Sequence, residues 1–302
     1  MKKFIQHRFL PENYTSSSLI KFEKLSEHLG VKVDNIDLSK LLTGNQFDDI
    51  NEALSVHSLL VFPNQSLTNM DMVKLSELFG STLPHIVNKF NQDGVIVLSN
   101  KRDKNGKLIG ADRSGMQWHS DGSFRKLPNR ISLLYGVECP PIGADTIFAS
   151  TYASFDTLGK LEIKELSKLY GIHDYSWYWS EYQKIRPPLT EEEKLRTPQV
   201  FYPILRTHPI TGWNSLYVSE CVTCGIKGMN KIDGRSRIIE LSELMSQFEF
   251  RYTHKWTKGD LLIWDNASAI HKGTEYDNKY DRLMLRTSTS AEVPFLKDIK
   301  LT

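Results

Sequence analysis

Hydrophobic and polar positions change their period along the chain. In the N-terminal third, "FDDINEALSVH" carries apolar residues at helical spacing and runs into "SLLVFP", a short apolar run stopped by Pro63. That order predicts a helix followed by a buried strand, because one helix face recurs every three to four positions while a strand buried on both faces is apolar throughout. "SLTNMDMVKLSELFG" predicts a second helix, entered at Leu67 or Thr68 and stopped at Gly80. "GVIVLSN" predicts another strand.

From residue 130 onward short β-type runs dominate: "RISLLYGVEC", "ADTIFAS", "FYPILRTHP", "SLYVSE", "DLLIWDN" and "DRLMLRTSTS", each bounded by Gly, Pro, Asn or Asp. Two helical stretches interrupt them, "YASFDTLGKLEIKELSKLYG" and "GRSRIIELSELMSQFEF". Such a series predicts an antiparallel sandwich or barrel with helices packed outside. No repeat, low-complexity tract or Pro/Gly/Ser linker divides the chain, so residues 1–302 are expected to form a single domain. The segment from Asp174 to Pro198, with "DYSWYWSEYQ" and "RPPLTEEEKLRTP", reads as long and irregular. It predicts a lid insert around 174–198 in which Trp177, Tyr178 and Trp179 cover an apolar ligand. The competing reading is a surface loop whose aromatics dock on the barrel.

Composition excludes some function classes. With 302 residues, 40% hydrophobic and 25% charged, the chain can bury a sizeable core. Its 38 basic and 36 acidic residues leave a net charge of +2 and no basic block. Nothing therefore favours a nucleic-acid or membrane partner. No apolar run is long enough to span a bilayer, and "MKKFIQHRFLPENY" lacks the apolar stretch of a signal peptide. Three cysteines, Cys139, Cys221 and Cys224, do not make a disulfide framework and point to a reduced, cytoplasmic setting. Cys221 and Cys224 form a Cys-X-X-Cys without a second pair, which is weak for zinc or redox chemistry.

The chemistry starts in "MQWHSDGSFR". His119 and Asp121 lie two apart, and on an extended segment they point to one side about 7 Å apart. A carboxylate and two neutral imidazoles make the facial triad of non-haem Fe(II) oxygenases, which leaves the opposite face of the metal open. The second imidazole has four candidates: His173, His208, His254 and His271. His271 follows the apolar "GDLLIWDNASAI" and is placed at a strand end in the barrel mouth, whereas His254, in the charged "RYTHKWTKGD", reads as solvated. Each of these His residues taken alone is as readily structural. Arg282 and Arg286 share one face of "DRLMLRTSTS". A guanidinium fork matches a carboxylate bidentately, and a buried one needs an anion. Alternation with Leu283 and Leu285 also permits two surface arginines on an edge strand.

These residues together resemble the TauD/TfdA family of Fe(II)/2-oxoglutarate-dependent dioxygenases. The family pattern is His-X-Asp, a Thr, a distant His and an Arg soon after it. Here twenty-four residues separate Asp121 from Thr146, and ten separate His271 from Arg282. "WHSDGSF", "PPIGADTIFA", "RTHPITGWNSLYV", "GIKGM" and "WTKGDLLIWDN" extend the resemblance over roughly residues 55 to 290. It implies a double-stranded β-helix (jelly-roll, cupin-like) core, mainly β with flanking helices. It implies Fe(II) held by His119, Asp121 and His271, with 2-oxoglutarate and O2 as co-substrates. Arg282, helped by Thr146, would pair with the distal carboxylate of 2-oxoglutarate, and Arg286 would hold a carboxylate of the co-substrate or substrate. His85 and Phe124 would face the substrate, and Trp264 would line the site near the metal. Asn88 falls where the taurine enzyme has a Tyr, which speaks against taurine itself. His208, with Pro209 and Gly212, is a family landmark read as structural.

The function so implied is hydroxylation of a small anionic organic substrate with release of succinate and CO2, by a protein that can form homo-oligomers. Asp121 speaks against halogenation, because halogenases of the superfamily carry Gly or Ala there. Alternatives are desaturation or oxidative rearrangement with the same cofactors, or a non-catalytic cupin-like binding protein.

Overall fold

A nine-stranded sheet organises the molecule. The computed structural model describes residues 13–16, 18–84, 91–184 and 187–290. Among these the sheet runs in the order β1 (Asn13–Thr15), β2 (Lys21–Lys24), β3 (Val31–Asp34), β4 (Leu59–Phe62), β15 (Leu261–Asp265), β7 (Asn129–Glu138), β17 (Leu283–Ser290), β6 (Val95–Ser99) and β5 (Asn91–Gln92). All neighbours are antiparallel except β3 and β4. A three-stranded sheet, β14 (Arg251–His254), β8 (Thr146–Ser150) and β16 (Ala269–Gly273), packs against its middle. Smaller sheets join β10 (Val200–Pro203), β9 (Tyr170–His173) and β13 (Thr223–Ile226), and β11 (Leu205–Thr207) with β12 (Asn214–Leu216). The architecture is thus mainly β, with several sheets and helices laid over them.

Side-chain alternation builds three apolar layers. Leu261 and Ile263 of β15 point to one face, where α1 (Gly44–His57) and α2 (Asn69–Glu77) cover them with Leu54 and Met72. Leu262 and Trp264 point the other way and meet Met284 of β17 and Phe148 of β8 between the two sheets. Ala149 and Ile270 face outward from the small sheet and pack on Ile238 and Leu241 of α7 (Lys231–Met245). β17 lies between β7 and β6, so Arg286 sits on an interior strand and the edge-strand alternative is excluded.

The two N-terminal helices are set by their caps. Thr68 accepts from the Asp71 N–H while the Asp71 carboxylate accepts from the Thr68 N–H, and Thr43 and Gln46 repeat this capping box at α1. Gly80, at φ +138, follows α2 as the stop.

Elsewhere the structure departs from the predicted pattern. The stretch "YASFDTLGKLEIKELSKLYG" is two short helices, α3 (Thr151–Asp156) and α4 (Lys160–Leu166), because Gly159 breaks the run and becomes the N-cap of α4. "FYPILRTHP" is likewise divided between β10 and β11, which belong to different sheets. Among the described residues of the segment around 174–198, two stretches are helical rather than irregular. Asp174 caps α5 (Tyr175–Tyr182) by accepting from the Trp177 N–H, and a Thr190–Glu193 capping box starts α6 (Glu191–Arg196). Tyr175, Tyr178 and Trp179 are spaced i, i+3, i+4 and gather with Phe124 and Leu189 in one cluster. No helix among the described residues is long and apolar enough to cross a membrane.

The layering yields a stability prediction. Ile263 is fully buried, so Ile263→Ala should lower the unfolding free energy by about 2–5 kcal/mol in urea titrations. Leu161→Ala, at a position 84% exposed, should stay within about 0.5 kcal/mol of the parent.

Candidate metal centre and substrate pocket

His119 and His271 face each other across an isolated antiparallel bridge. His119 N–H donates to His271 O at 3.0 Å and His271 N–H to His119 O at 2.9 Å. The pairing brings the imidazole centroids within 4.2 Å. His271 is the third of five residues in β16, so it lies mid-strand rather than at a strand end. Its ring stacks on Phe148, its cross-strand partner on β8, and meets the edge of Trp264 at 4.8 Å. Trp264 is 1% exposed and braces His271 from behind, so it does not line the cavity.

Asp121 begins the turn just past this bridge. Its Oδ1 lies 3.4 Å from His119 Nε2 and 3.7 Å from His271 Nε2, and ligand atoms of the three residues all fall within 4.8 Å of one another. His119 Nδ1 is 2.8 Å from Gln117 O, and a carbonyl can only accept, so the proton sits there and Nε2 turns a lone pair inward. Burial pushes the His271 pKa well below the ordinary histidine value, which keeps its ring neutral. Two imidazole Nε2 atoms thus converge on a carboxylate oxygen, an arrangement that a divalent cation satisfies. The donor chemistry suits iron, manganese or a similar first-row metal.

The second oxygen of Asp121 is also held. Oδ2 accepts from Ser132 Oγ at 2.6 Å and from Arg286 Nη2 at 2.6 Å. The Asp121 N–H donates to Asn266 Oδ1 at 2.9 Å. Asn266 Oδ1 also accepts from Trp264 Nε1, and its Nδ2 donates to Ser132 Oγ and to Arg130 O, so its amide orientation is forced. Burial alone would raise the Asp121 pKa, but Arg286 and the two imidazoles hold it well below the ordinary carboxylate value. Two glycines make room. A Cβ on Gly115, at φ +76, would stand 2.9 Å from the His119 ring, and one on Gly122, at φ +60, would strike Asn129.

Beside this cluster lies a cavity of ≈ 740 Å³, partly open to solvent and lined by His119, Asp121, Phe124, Arg125, Tyr178 and Arg286 among others. Phe124 and Arg286 therefore share one space with the His/Asp cluster. Of the three aromatics read as a lid, only Tyr178 reaches it. Trp177 instead lies under the Arg235 guanidinium, and Trp179 donates from Nε1 to Pro187 O. His85 and Asn88 lie outside the described residues. Thr146 is buried and its Oγ1 accepts from Trp256 Nε1 at 3.0 Å. Arg282 is partly buried near Tyr276 and makes no ion pair among the described residues.

The other three candidates for the second imidazole, His173, His208 and His254, have structural partners. His208 Nδ1 accepts from the Ile210 and Thr211 N–H groups, so Nε2 carries the proton and donates to Asp265 Oδ2 at 3.0 Å. His173 is enclosed by Tyr202 and Tyr217. His254 is buried rather than solvated, because Asp260 sits 3.0 Å from its Nε2. Cys221 and Cys224 have no metal-type cluster around them among the described residues.

The model of the taurine catabolism dioxygenase TauD, TfdA family matches residues 21–288. The chain belongs to this family. It is 29% identical over 275 residues to the alpha-ketoglutarate-dependent 2,4-dichlorophenoxyacetate dioxygenase of Cupriavidus pinatubonensis, covering 85% of this chain and 93% of the relative. It is 25% identical over 284 residues to the alpha-ketoglutarate-dependent sulfate ester dioxygenase of Pseudomonas putida, covering 91% and 90%. The crystal structure of AAD-2 in complex with Mn(II) and N-oxalylglycine superposes with a TM-score of 0.79 at 28% identity, covering 92% of this chain and 99% of that one. As a TauD/TfdA member the protein is an alpha-ketoglutarate-dependent dioxygenase.

Sequence reasoning missed Ser132, Asn266, Arg125 and Tyr175. Ser132 and Asn266 are single polar residues in or beside apolar runs, a pattern without period. Tyr175 and Arg125 reach the cavity only through tertiary packing.

Asn266→Leu should weaken metal binding by about 10–100-fold, read by titration of the protein with Mn(II), because Asp121 and Ser132 lose the amide that orients them. A second expectation concerns acid. Burial would raise the Asp265 pKa, yet His208 and Arg130 hold it below the ordinary value. A depressed carboxyl contributes stability above its unfolded pKa of about 4 and loses it as pH falls toward the folded value. Asp265→Asn should therefore be less stable at pH 7, and its stability should fall less steeply between pH 5 and pH 3, in urea titrations across that range.

Proposed function

We propose that this chain uses Fe(II), 2-oxoglutarate and O2 to hydroxylate a small anionic organic substrate, releasing succinate and CO2. The observation that carries the reading is the convergence of His119, Asp121 and His271, all buried or half-buried, beside a cavity that His119, Asp121 and Arg286 line. When bound, iron with 2-oxoglutarate and O2 supplies an oxidant able to replace a C–H hydrogen by hydroxyl. The protein's task is to position that bond and exclude water.

Each residue then has a role. His119, Asp121 and His271 hold the metal from one side, and the backbone bridge between the two histidines keeps their rings in place. Thr146 and Arg282 take the distal carboxylate of 2-oxoglutarate. Arg286 keeps Asp121 ionised and presents its remaining N–H groups to the substrate's acid group. Phe124 offers an apolar wall for the rest of the substrate, and His85 is a further substrate contact. Relatives named for 2,4-dichlorophenoxyacetate and for sulfate esters support an organic acid as the substrate class. The two facing sheets support a jelly-roll scaffold for the site.

The test is succinate formation with Fe(II), 2-oxoglutarate and a panel of organic acids. His119→Ala should abolish turnover. Arg282→Ala should raise the concentration of 2-oxoglutarate required by about tenfold or more. Unchanged activity in His119→Ala, or an unchanged 2-oxoglutarate requirement in Arg282→Ala, would overturn the assignment.

A further inference from the structure

Arg125 closes the motif "SDGSFR", and no role above accounts for it. It lines the same cavity as Arg286, Asp121 and His119. One arm of its guanidinium is anchored, since Nη2 donates to Pro84 O at 2.8 Å. The group also lies 5.9 Å from the centre of the Phe124 ring. Its Nε is buried and has no hydrogen-bond partner. Arg286 repeats this state: Nη2 is committed to Asp121, while Nε is buried and unpartnered. A buried donor without an acceptor costs free energy, so two of them at one cavity mark a place for an acceptor that comes from outside.

Charge points the same way. Asp121 is the only carboxylate among the described residues lining this cavity, and Ser132, Arg286 and the two imidazoles already surround it. Two guanidiniums face one carboxylate. Burial disfavours the charge on Arg125 and the nearby Arg286 adds to this, against favourable effects of Tyr175 and Asp121 that are smaller than that of burial. A metal bound by the His/Asp cluster would deepen the surplus of positive charge. Part of the wall is aromatic: Phe124 and Tyr175 lie with ring centres 4.3 Å apart, and Tyr178 adjoins Tyr175.

Resting on the function proposed above, we propose that Arg125 is a second anion-binding residue of the substrate pocket. It acts with Arg286 on one oxyanion group of the substrate, whose organic body lies against Phe124, Tyr175 and Tyr178. The class so selected is an aryl or similarly bulky organic oxyanion (carboxylate, sulfonate or sulfate) with at least two oxygens free to accept. Arg125 is a specificity residue and takes no part in metal binding.

The full-length chain, loaded with Mn(II) and N-oxalylglycine so that no turnover occurs, is titrated calorimetrically. The probes are 2,4-dichlorophenoxyacetate, benzenesulfonate, phenyl sulfate and the uncharged 2,4-dichlorophenoxyacetamide. The parent protein should bind at least one anion more tightly than the amide. Arg125→Gln should weaken the best anion by about tenfold or more while changing the amide by no more than about twofold. Arg125→Lys should recover much of the anion affinity, because it restores the charge although it cannot restore both the Pro84 tether and the planar contact with Phe124. Equal losses for anion and amide in both variants would make Arg125 a packing residue and overturn the proposal, as would no loss at all. Should Arg125→Gln not fold, the anion-to-amide ratio of Arg125→Lys decides, with a ratio well below that of Arg125→Met counting against. A parent protein that binds neither Mn(II) with N-oxalylglycine nor any of the anions would instead sink the reading of the site itself.

Discussion

A carboxylate removed from water must be surrounded by groups that favour its charge, and the structure depends on how Asp121 meets that demand. The side chain is 3% exposed. An isolated buried carboxylate would neutralise instead of staying ionised. Here the compensating groups come from different parts of the fold: Ser132 from β7, Arg286 from β17, Asn266 from the turn between β15 and β16, and His271 from β16. One side chain thereby ties the nine-stranded sheet to the small sheet facing it. The packing of the two sheets and the integrity of the site are consequently one problem, and a change that separates them disturbs both.

The site has a rigid back and an open front for the same reason. Behind the imidazoles, Phe148, Trp264 and Met284 fill the space between the sheets, leaving His271 one orientation. In front, the cavity is bounded by polar loop residues after the His119 bridge and by aromatics from α5. Metal-ligating side chains on or bridged to strands are held more closely than loop residues can be. The aromatic side of the cavity, built from the turn at Phe124 and from a two-turn helix, is free to vary without loosening the His119–Asp121–His271 cluster.

Much of this was legible from the order of residues. The runs that became α1, β4, α2, β6, β7, β15 and β17 have clear periods, and the caps at Thr68 and Gly80 mark their helix plainly. The aromatic segment was harder. Tyr175, Trp177, Tyr178, Trp179 and Tyr182 put rings on several sides of α5, which hides its period, and the helix became visible only through the Asp174 cap. Strands of four residues, such as β2, β3 and β14, are too short for alternation to stand out. His254 sits among charged neighbours yet is buried, because its partner Asp260 arrives from the far side of a turn. His119 and His271 lie 152 positions apart, and local pattern cannot join them. The family resemblance named the pair, and the backbone bridge explains it.

Arg286 on β17 and Arg282, which immediately precedes that strand, have different surroundings. Four positions of extended chain put their Cα atoms about 13 Å apart. Arg286 has an internal anion in Asp121. Arg282 has no ion-pair partner among the described residues, and its guanidinium lies 6.0 Å from the centre of the Tyr276 ring. The pairing of β17 with β7 also shifts register between Leu283 and Met284. Such a bulge bends a strand and re-aims the residues beside it. Arg282, just before this irregularity, is therefore set apart from the part of the strand that serves Asp121. A positive charge kept partly buried is costly, and at Arg282 that cost is partly offset by Tyr276 and by the Asp112 carboxylate nearby rather than by an ion pair.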